Sequence, residues 1–299
     1  EEIEKISQKN KNLRIVKTLQ KKGIPGSRNF GIEVSKGDFI AFFDMDMEVD
    51  KSWPGTMIDV LSQKNVGGVL PKVLDFNNRR VIQAVGFKID PHTVWVVPKG
   101  YGEVDEGQYT EVEEIAIGAA GSIFKREVIE KVGGFDENLG MFDDIDFGWK
   151  VKIAGWKTVC VPSSVIYHWT FKPWSVRPKT SSLLQQDFYL NSLIRSLFKN
   201  LEKQNLVKYL PWYLTVMLAR VFYNLVNRNT IPFRGFFSAL TWNIINLGDT
   251  IKEREKINKY RKVSDRELSK TIFAEGNFVQ IYKNKMKPIV TISKNFLKN

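Results

Sequence analysis

The first part of the chain alternates short apolar runs with polar turns. The apolar run at 39–43 is uninterrupted and is followed at once by Asp44 and Asp46. Such a run is typical of a strand that is buried on both faces of a parallel sheet. Open α/β sheets bind ligands just beyond the carboxyl ends of their strands. The pattern therefore predicts two carboxylates at a ligand-binding edge.

Turn residues and periodicity divide the rest of this part into further elements. Ser52 is the predicted N-cap of the first helix after the run, and Gly133-Gly134 ends the second. The alternation of helices and strands predicts an α/β fold. The predicted helices are 1–22, 53–64, 126–132 and 143–155, the predicted strands are 66–73, 115–124 and 158–161, and 88–114 is predicted as loops or edge strands.

The second part of the chain is predicted to be helical. Segments 181–200, 206–227 and 231–247 are rich in Leu, Phe, Tyr and Trp, and a charged helix is expected at 253–270. The longest charge-free stretch, 235–247, is shorter than the ~20 residues that a membrane span needs. Two interpretations stay open: a helical cap on the first part, or basic, aromatic-rich helices that lie in a membrane interface. The predicted regions are 1–176, a helical region at 177–273 and a basic tail at 274–299.

Charge and cysteine content narrow the classes of partner and of site. The chain has 299 residues and a net charge of +12, which favours an anionic partner: nucleic acid, an acidic membrane surface or a phosphorylated substrate. The single cysteine, Cys160, excludes an intrachain disulfide framework and a cysteine-based zinc cluster. Because it lies in an apolar run, we expect a buried thiol.

Two groups of acids carry the candidate chemistry. Asp44 and Asp46 can hold a divalent cation through oxygen ligands, and that cation can hold phosphate oxygens. Asp143, Asp144 and Asp146 open a predicted helix, where acids are favoured by the helix dipole and can act as simple caps. Alternatively, these acids have a functional role, because the loop at 138–142 would bring them to the same edge of the sheet as Asp44 and Asp46.

Several blocks of this sequence, in order and at these spacings, resemble glycosyltransferase family 2. The similarity covers about residues 13–170. The blocks are IPGSRNFGI at 24–32, KGDFIAFFDMD at 36–46, GSIFKRE at 121–127, VGGFDE at 132–137, DDIDFGWK at 143–150, AGWK at 154–157 and VPSSVIYH at 161–168.

The resemblance implies a GT-A-type fold, with a Rossmann-like mixed sheet flanked by helices, and transfer of a sugar from a nucleotide donor with inversion. It implies that Asp144 is the general base that removes the acceptor hydroxyl proton. It also implies a divalent metal, Mg²⁺ or Mn²⁺, held by Asp44, Asp46 and His168 with the donor diphosphate. The implied contacts to the nucleotide-sugar are Arg28, Asn29, Asp44, Asp46 and Gly121.

Three departures from the family pattern matter. The family's first strand and helix, with the acid that contacts the nucleobase, are expected before Glu1, so the domain at 1–176 is expected to be N-terminally incomplete. Asp143 stands where Glu is commoner, which keeps a carboxylate. The Trp motif of processive members is missing, which favours transfer of a single sugar. The long helical second part resembles that of bacterial rhamnosyltransferases.

Two functional hypotheses follow. The first is an inverting, metal-dependent transferase in the cytoplasm, at the inner face of the cell membrane, that acts on a glycan or lipid-linked acceptor. The alternative is a non-catalytic protein that binds a glycan or a partner on a truncated transferase fold. Nucleic acid is not an expected partner, because the acid cluster would repel phosphates without a metal.

Overall fold

The computed structural model describes residues 2–17, 23–90, 96–116, 118, 120–140, 142–169, 182–226 and 231–273. A mixed sheet forms most of the first part, and helices form the second. The strands are β1 (Phe39–Ala41), β2 (Met47–Val49), β3 (Val66–Asp75), β4 (Ile82–Ala84), β5 (Phe87–Ile89), β6 (Val96–Pro98), β7 (Glu113–Glu114), β8 (Ile123–Lys125) and β9 (Lys157–His168). The helices are α1 (Glu2–Lys9), α2 (Gly23–Val34), α3 (Gly55–Leu61), α4 (Arg126–Val132), α5 (Asp143–Ile153), α6 (Ser182–Asn200), α7 (Lys203–Val226), α8 (Ile231–Ile245), α9 (Leu247–Tyr260) and α10 (Asp265–Leu268).

The main sheet has the order β1-β8-β3-β9-β2, with β4 beside β3 and β7 beside β9. β3 and β9 form its parallel centre, and their last residues, Asp75 and His168, are paired. β3 is buried along almost its whole length, which explains why most of its residues are apolar or glycine. The fold is therefore an α/β fold of the predicted mixed type.

The strands that lead into the candidate site all point the same way. β8 is antiparallel to both β1 and β3, so β1 runs in the same direction as β3 and β9. Their carboxyl ends therefore meet at one edge of the sheet. Asp44 and Asp46 follow β1 at this edge, and His168 ends β9 there.

The prediction that the apolar run at 39–43 is buried on both faces of a parallel sheet is wrong. β1 has three residues, pairs antiparallel with β8, and lies at the end of the strand order. Phe39 and Phe43 are each 39% exposed, whereas Ile40 and Phe42 are buried. Only one face of β1 is covered, because the core packs against that face alone.

Other strand predictions need correction at their bounds. β8 begins only at Ile123, because the chain before it makes isolated bridges at Ala116 and Ala120. β9 is much longer than the predicted 158–161, because it pairs with β3 on one side and with β2 on the other as far as His168. These lengths depend on partners that are distant in sequence.

The predicted bounds of one helix agree with the structure, and those of three others differ. α4 has the predicted bounds, and Gly133 ends it in a left-handed conformation at φ 80°. α3 is shorter than predicted, and Ser52 is not its cap, because the helix begins at Gly55 and its N-cap is Pro54, which has no side-chain acceptor. α1 ends at Lys9, well before the predicted end at 22, and the predicted 253–270 helix is divided into α9 and α10.

Helix α5 lies between the sheet and the second part of the chain. Phe147 and Val151 on one side pack into the core of the sheet. Ile145, Trp149 and Ile153, spaced four residues apart, face a second core that includes residues of α6, α7, α8 and α9. Because both of its sides are apolar, α5 is buried along nearly its whole length.

The second part of the chain caps the α5 side of the sheet, as one of the two open interpretations expected. The predicted boundary at 176 and the predicted tail at 274–299 both lie outside the described residues. In the part of the chain that the structure describes, we find no helix with both the length and the apolarity to cross a bilayer.

Candidate active site

Arg28 joins the two groups of acids that the sequence singled out. It lies on α2, and its side chain is 12% exposed. Its Nη1 donates to Asp143 Oδ2 at 2.7 Å, and its Nη2 donates to Asp44 Oδ1 at 3.3 Å. The guanidinium carbon is 5.4 Å from the ring centre of Phe135, close enough for a cation–π contact. The acid after β1 and the acid at the start of α5 therefore share one cation.

Asp143 and Asp144 begin α5 in different environments. The Asp143 side chain is 7% exposed and bound to Arg28, whereas Asp144 is half-buried. Burial and the charge of Asp144 raise the pKa of Asp143, Arg28 lowers it, and the net result is a pKa of about 6. Two adjacent carboxylates with unequal surroundings are a common arrangement for acid–base chemistry.

Asp144 is closely packed against Gly118. Its Oδ1 accepts the backbone N–H of Ile145 at 2.8 Å. Its Oδ2 lies only 2.6 Å from where a Cβ on Gly118 would stand, so any side chain there would displace the carboxylate. Phe142 precedes the acids with a left-handed φ of 68°, unusual for a bulky residue. The chain thus turns sharply into α5 just before the acid pair.

Asp46 and His168 face each other at the sheet edge. The Nε2 of His168 is 3.6 Å from Asp46 Oδ2. The Nδ1 of the same ring lies 2.7 Å from Gln83 Oε1. Because Gln83 Nε2 donates to Asp75 Oδ2 and to the His168 carbonyl oxygen, its Oε1 is left to accept from the ring. This amide oxygen suits an N–H donor at Nδ1, and in a neutral ring that tautomer would leave the lone pair of Nε2 toward the Asp46 carboxylate.

This facing pair fits a cation. A carboxylate oxygen and an imidazole lone pair are both acceptors, and they are ordinary ligands of a divalent metal. Among the residues that the structure describes, no three His, Cys, Asp or Glu side chains are grouped as a metal site. Two such side chains would leave the other positions of a bound cation to water or to a diphosphate, as Mg²⁺ commonly prefers.

Two other residues that were predicted to contact the nucleotide-sugar instead make contacts within the protein. Asn29 accepts the backbone N–H of Phe135 at 2.8 Å and donates to the Phe135 carbonyl oxygen at 2.9 Å, so its amide fastens the loop after α4. Gly121 donates its N–H to the Phe42 carbonyl oxygen at 2.7 Å. Its φ is 75°, and a Cβ there would stand 2.4 Å from Ile166 Cδ1, so no larger residue fits.

Asp146, the third acid of the predicted cluster, is turned away from the others. It is fully buried, and its two carboxylate oxygens accept from Lys199 Nζ at 2.9 Å and Asn200 Nδ2 at 2.8 Å. Lys199 also donates to Asp136. These bonds tie the first turn of α5 to α6, so the helical region helps to hold the acid pair.

Arg195 completes this buried network. Its side chain is 0% exposed and contacts both oxygens of Asp136, at 2.8 and 3.2 Å. It also donates to Asp249 and Thr250 on α9. Burial by itself raises the pKa of Asp136, but Lys199 and Arg195 outweigh it and hold that pKa well below its usual range. The loop before α5 is therefore fixed by charge from α6.

Sequence reasoning missed Gln83, Asp75, Gly118, Arg195 and Lys199. Except for Asp75, which binds the nearby Gln83, each acts through a partner that is distant in the chain, and none belongs to a motif. A cation such as Lys199 among the apolar residues of α6 was the one available signal, because a charged residue on an inward face needs a partner.

Comparison with known proteins finds matches to two family models and to several curated relatives. The model of the family "Glycosyl transferase family 2" matches residues 1–133, and that of "Glycosyltransferase like family 2" matches residues 103–186. The chain is 26% identical over 176 residues to the O-antigen biosynthesis protein RfbC of Myxococcus xanthus. That match covers 56% of this chain but only 13% of RfbC, so the chain spans a small share of this relative.

Two solved structures share the fold. TarS 1-349 of S. aureus, in complex with UDP-GlcNAc, has a TM-score of 0.50 and 15% identity, over 87% of this chain and 72% of that one. GalNAc-T7, with UDP, GalNAc and Mn²⁺, has a TM-score of 0.51 and 17% identity, over 66% of this chain and 38% of that one. The mixed sheet and its flanking helices are thus of the GT-A type, and two models of family 2 glycosyltransferases together match the chain from residue 1 to residue 186.

Proposed function

We propose that this chain transfers a single sugar, with inversion, from a nucleotide-sugar donor to a hydroxyl of a glycan or lipid-linked acceptor. The observation that carries the proposal is the meeting of two acid groups at the carboxyl ends of β1, β3 and β9. Arg28 bridges Asp44 and Asp143, and Asp46 faces His168 at 3.6 Å. Ligands of open α/β sheets bind at this edge.

The acid pair supplies the base in this proposal. Asp144 is the more exposed member, whereas Asp143 is held by Arg28. Asp144 removes the proton of the acceptor hydroxyl while that oxygen forms a bond to the anomeric carbon. The bond from this carbon to the diphosphate oxygen breaks, and its electron pair leaves with the nucleoside diphosphate. Attack from the face opposite to the leaving group inverts the anomeric carbon.

The donor side is assigned to Arg28, Asp44, Asp46 and His168. Asp46 and His168 would hold a divalent metal, which when bound supplies positive charge to the leaving diphosphate. The GalNAc-T7 structure contains UDP and Mn²⁺, which supports metal use in this fold. Arg28 adds a fixed cation beside Asp44. Asn29 acts in this proposal through the loop it fastens, and Gly121 through its close packing.

The regions keep their predicted roles in this proposal. Residues 1–176 carry the transfer chemistry, and 177–273 support it through α6 and contact the inner face of the cell membrane. The basic charge of the chain supports an anionic surface as partner. The alternative hypothesis, a protein that binds a glycan without turnover, differs in one measurable respect: it predicts donor or acceptor binding without release of nucleoside diphosphate.

A nucleotide-release assay tests the proposal. The full chain is incubated with a panel of sugar nucleotides and an acceptor extract, with Mn²⁺ or with EDTA. We expect release with at least one donor, and we expect EDTA to abolish it. Asp144→Asn should lower kcat by roughly 10²–10⁴-fold, the usual contribution of a general base, while the donor Kd from calorimetry stays nearly unchanged.

Asp59→Asn is the matched control, because Asp59 is an exposed acid on α3. It should keep full activity. Donor binding without release by the wild type would support the non-catalytic alternative instead. Full activity of Asp144→Asn would show that another group is the base.

A further inference from the structure

Helix α7 is apolar on the side that faces away from the core. Its inward residues Tyr213, Met217 and Val221 are buried at spacings of four. Its outward side is also apolar over several turns, although the outward side of a helix on a soluble protein is normally polar. The large exposed residues on α7 include Val207, Trp212, Leu218, Phe222, Tyr223 and Val226, and Phe222 and Tyr223 are each 70% exposed.

Helix α8 repeats this arrangement next to α7. Its inward residues Phe236 and Ala239 are buried in the same core as α7. Its outward residues include Phe237 and, at the end of the helix, Ile244 and Ile245, which are 71% and 76% exposed. Scattered exposed apolar residues are common, but a set this large on two packed helices marks an interaction surface.

The charge of this surface has one sign. Between Glu202 and Asp249 the sequence contains no Asp or Glu. Lys203, Lys208 and Arg234 in this stretch are exposed. Aromatic and aliphatic residues combined with cations, and without acids, form the composition of helices that lie in the plane of an anionic membrane interface.

We propose that the outward face of α7 and α8 docks on an anionic lipid surface, with both helices parallel to the membrane plane. The inference deepens the proposed function by naming the surface that contacts the membrane, and it rests on that function only for the lipid-linked acceptor. The two sequence-based interpretations are then both correct: the inward sides cap the sheet domain, and the outward sides meet lipid.

A lipid surface fits better than a second copy of the chain. A symmetric dimer through this face would bring Lys208 and Arg234 of each copy into a contact that contains no acid, and like charges oppose such a contact. Insertion across the bilayer is not the geometry proposed, since no described helix can span it. Docking in the plane satisfies both the apolar residues and the cations.

Vesicle flotation tests the inference on the full chain, without donor or acceptor. We expect the protein to float with mixed phosphatidylcholine–phosphatidylglycerol vesicles, to float less with phosphatidylcholine alone, and to detach partly at high salt. The double variant Phe222→Ser with Ile245→Ser should weaken binding by roughly tenfold or more, because two apolar side chains no longer enter the interface. Val104→Ser with Val112→Ser is the matched control, since both are exposed valines outside the helical region.

A second measurement is independent of vesicle recovery. Cys160 is fully buried, so a new cysteine at the surface can be labelled selectively. A polarity-sensitive dye on Phe222→Cys should shift to the blue with anionic vesicles, whereas the same dye on Val112→Cys should not. Unchanged thermal unfolding would show that the variants are folded.

The outcomes separate this inference from the proposed function. Flotation without nucleotide release supports the docking surface and removes only the catalytic proposal. Nucleotide release without flotation or dye shift overturns the docking surface alone. A dimer in sedimentation that Phe222→Ser dissociates, together with no flotation, assigns the face to a second copy and overturns the lipid proposal.

Discussion

Arg28 Nη1 lies 2.7 Å from Asp143 Oδ2 and joins α2 to the first turn of α5. The same guanidinium reaches Asp44 at 3.3 Å, so one cation balances acids from two separate motifs. It does so incompletely for Asp143, because burial and the neighbouring Asp144 still raise the pKa of Asp143 to about 6. The effect of this raised pKa on stability can be measured.

The raised pKa of Asp143 predicts a pH-dependent cost in stability. The folded pKa of about 6 exceeds the ordinary 3.8, so the folded state binds the proton more tightly than the unfolded state. The stabilisation that proton binding to Asp143 gives the folded state is therefore fully present below the ordinary pKa. It is lost as pH rises through the folded pKa. Between these two values the unfolding free energy of the wild type should fall relative to Asp143→Asn, by at most about 3 kcal/mol.

Urea unfolding of both proteins at several pH values measures this difference. Asp59→Asn, at an exposed site, should show no such trend. A difference between wild type and Asp143→Asn that does not change with pH would contradict the raised pKa.

Gly118 is predicted to set the position of the proposed base. A Cβ at Gly118 would stand 2.6 Å from Asp144 Oδ2, so Gly118→Ala must displace the carboxylate. A shift of this size at a reacting group lowers kcat by roughly 10²-fold, whereas the donor Kd should change little. Steady-state kinetics and donor calorimetry give the two numbers. Gly248→Ala is the control, because nothing lies within 4 Å of its Cβ position. Equal kcat for both variants would contradict the assignment.

Gln83 is predicted to tune the affinity of the proposed metal site. Its Oε1 lies 2.7 Å from His168 Nδ1, where it would favour the tautomer that leaves the lone pair of Nε2 toward Asp46. Gln83→Leu removes that acceptor at similar volume and should weaken Mn²⁺ binding by about 10–100-fold, as is usual for partners of ligating histidines. Calorimetric titration of Mn²⁺ in the presence of a nucleoside diphosphate measures it. Gln63→Leu, at an exposed position, should bind as the wild type does. Unchanged affinity of Gln83→Leu would remove His168 from the proposed ligands.

Lys199 is predicted to be essential to stability. It is 1% exposed and contacts both Asp136 and Asp146, so Lys199→Met leaves two buried acids without this cation. Removing one partner of a buried ion pair typically costs about 3–5 kcal/mol. Lys256→Met is the control: Lys256 is 67% exposed in its pair with Glu253, and its loss should cost at most about 1 kcal/mol. Urea unfolding compares them.

A rescue experiment separates charge from packing at Lys199. Adding Asp146→Asn to Lys199→Met removes one of the two uncompensated charges and should restore part of the lost unfolding free energy. A double variant that is less stable than Lys199→Met would show that the loss comes from packing instead.

Features with a local cause were predictable from the sequence. α4 and its glycine end were predicted at the right residues, because helix termination depends on a few neighbouring residues. The ends of α6, α7 and α8 were predicted to within three residues, because hydrophobic periodicity over a long segment is a strong signal for a helix. The acids after β1 and at the start of α5 were also visible, since they interrupt apolar runs.

Features with a distant cause were not predictable. The burial pattern of β1 and the length of β9 depend on which strands lie beside them, and pairing between remote strands leaves no local signal. Distant partners also separate the acids at the start of α5. Arg28 holds Asp143 near Asp44, whereas Lys199 binds Asp146 in the core.

The sequence by itself determined that this chain is an α/β protein that resembles glycosyltransferase family 2, with acids at the ends of its elements. Only the tertiary structure decided which acids meet, which side chains lie beside the ring of His168, and that α7 and α8 are apolar on both sides. The reason is physical: periodicity and capping act over a few residues, whereas a buried charge, a histidine tautomer and an exposed face are determined by atoms that the fold brings from elsewhere.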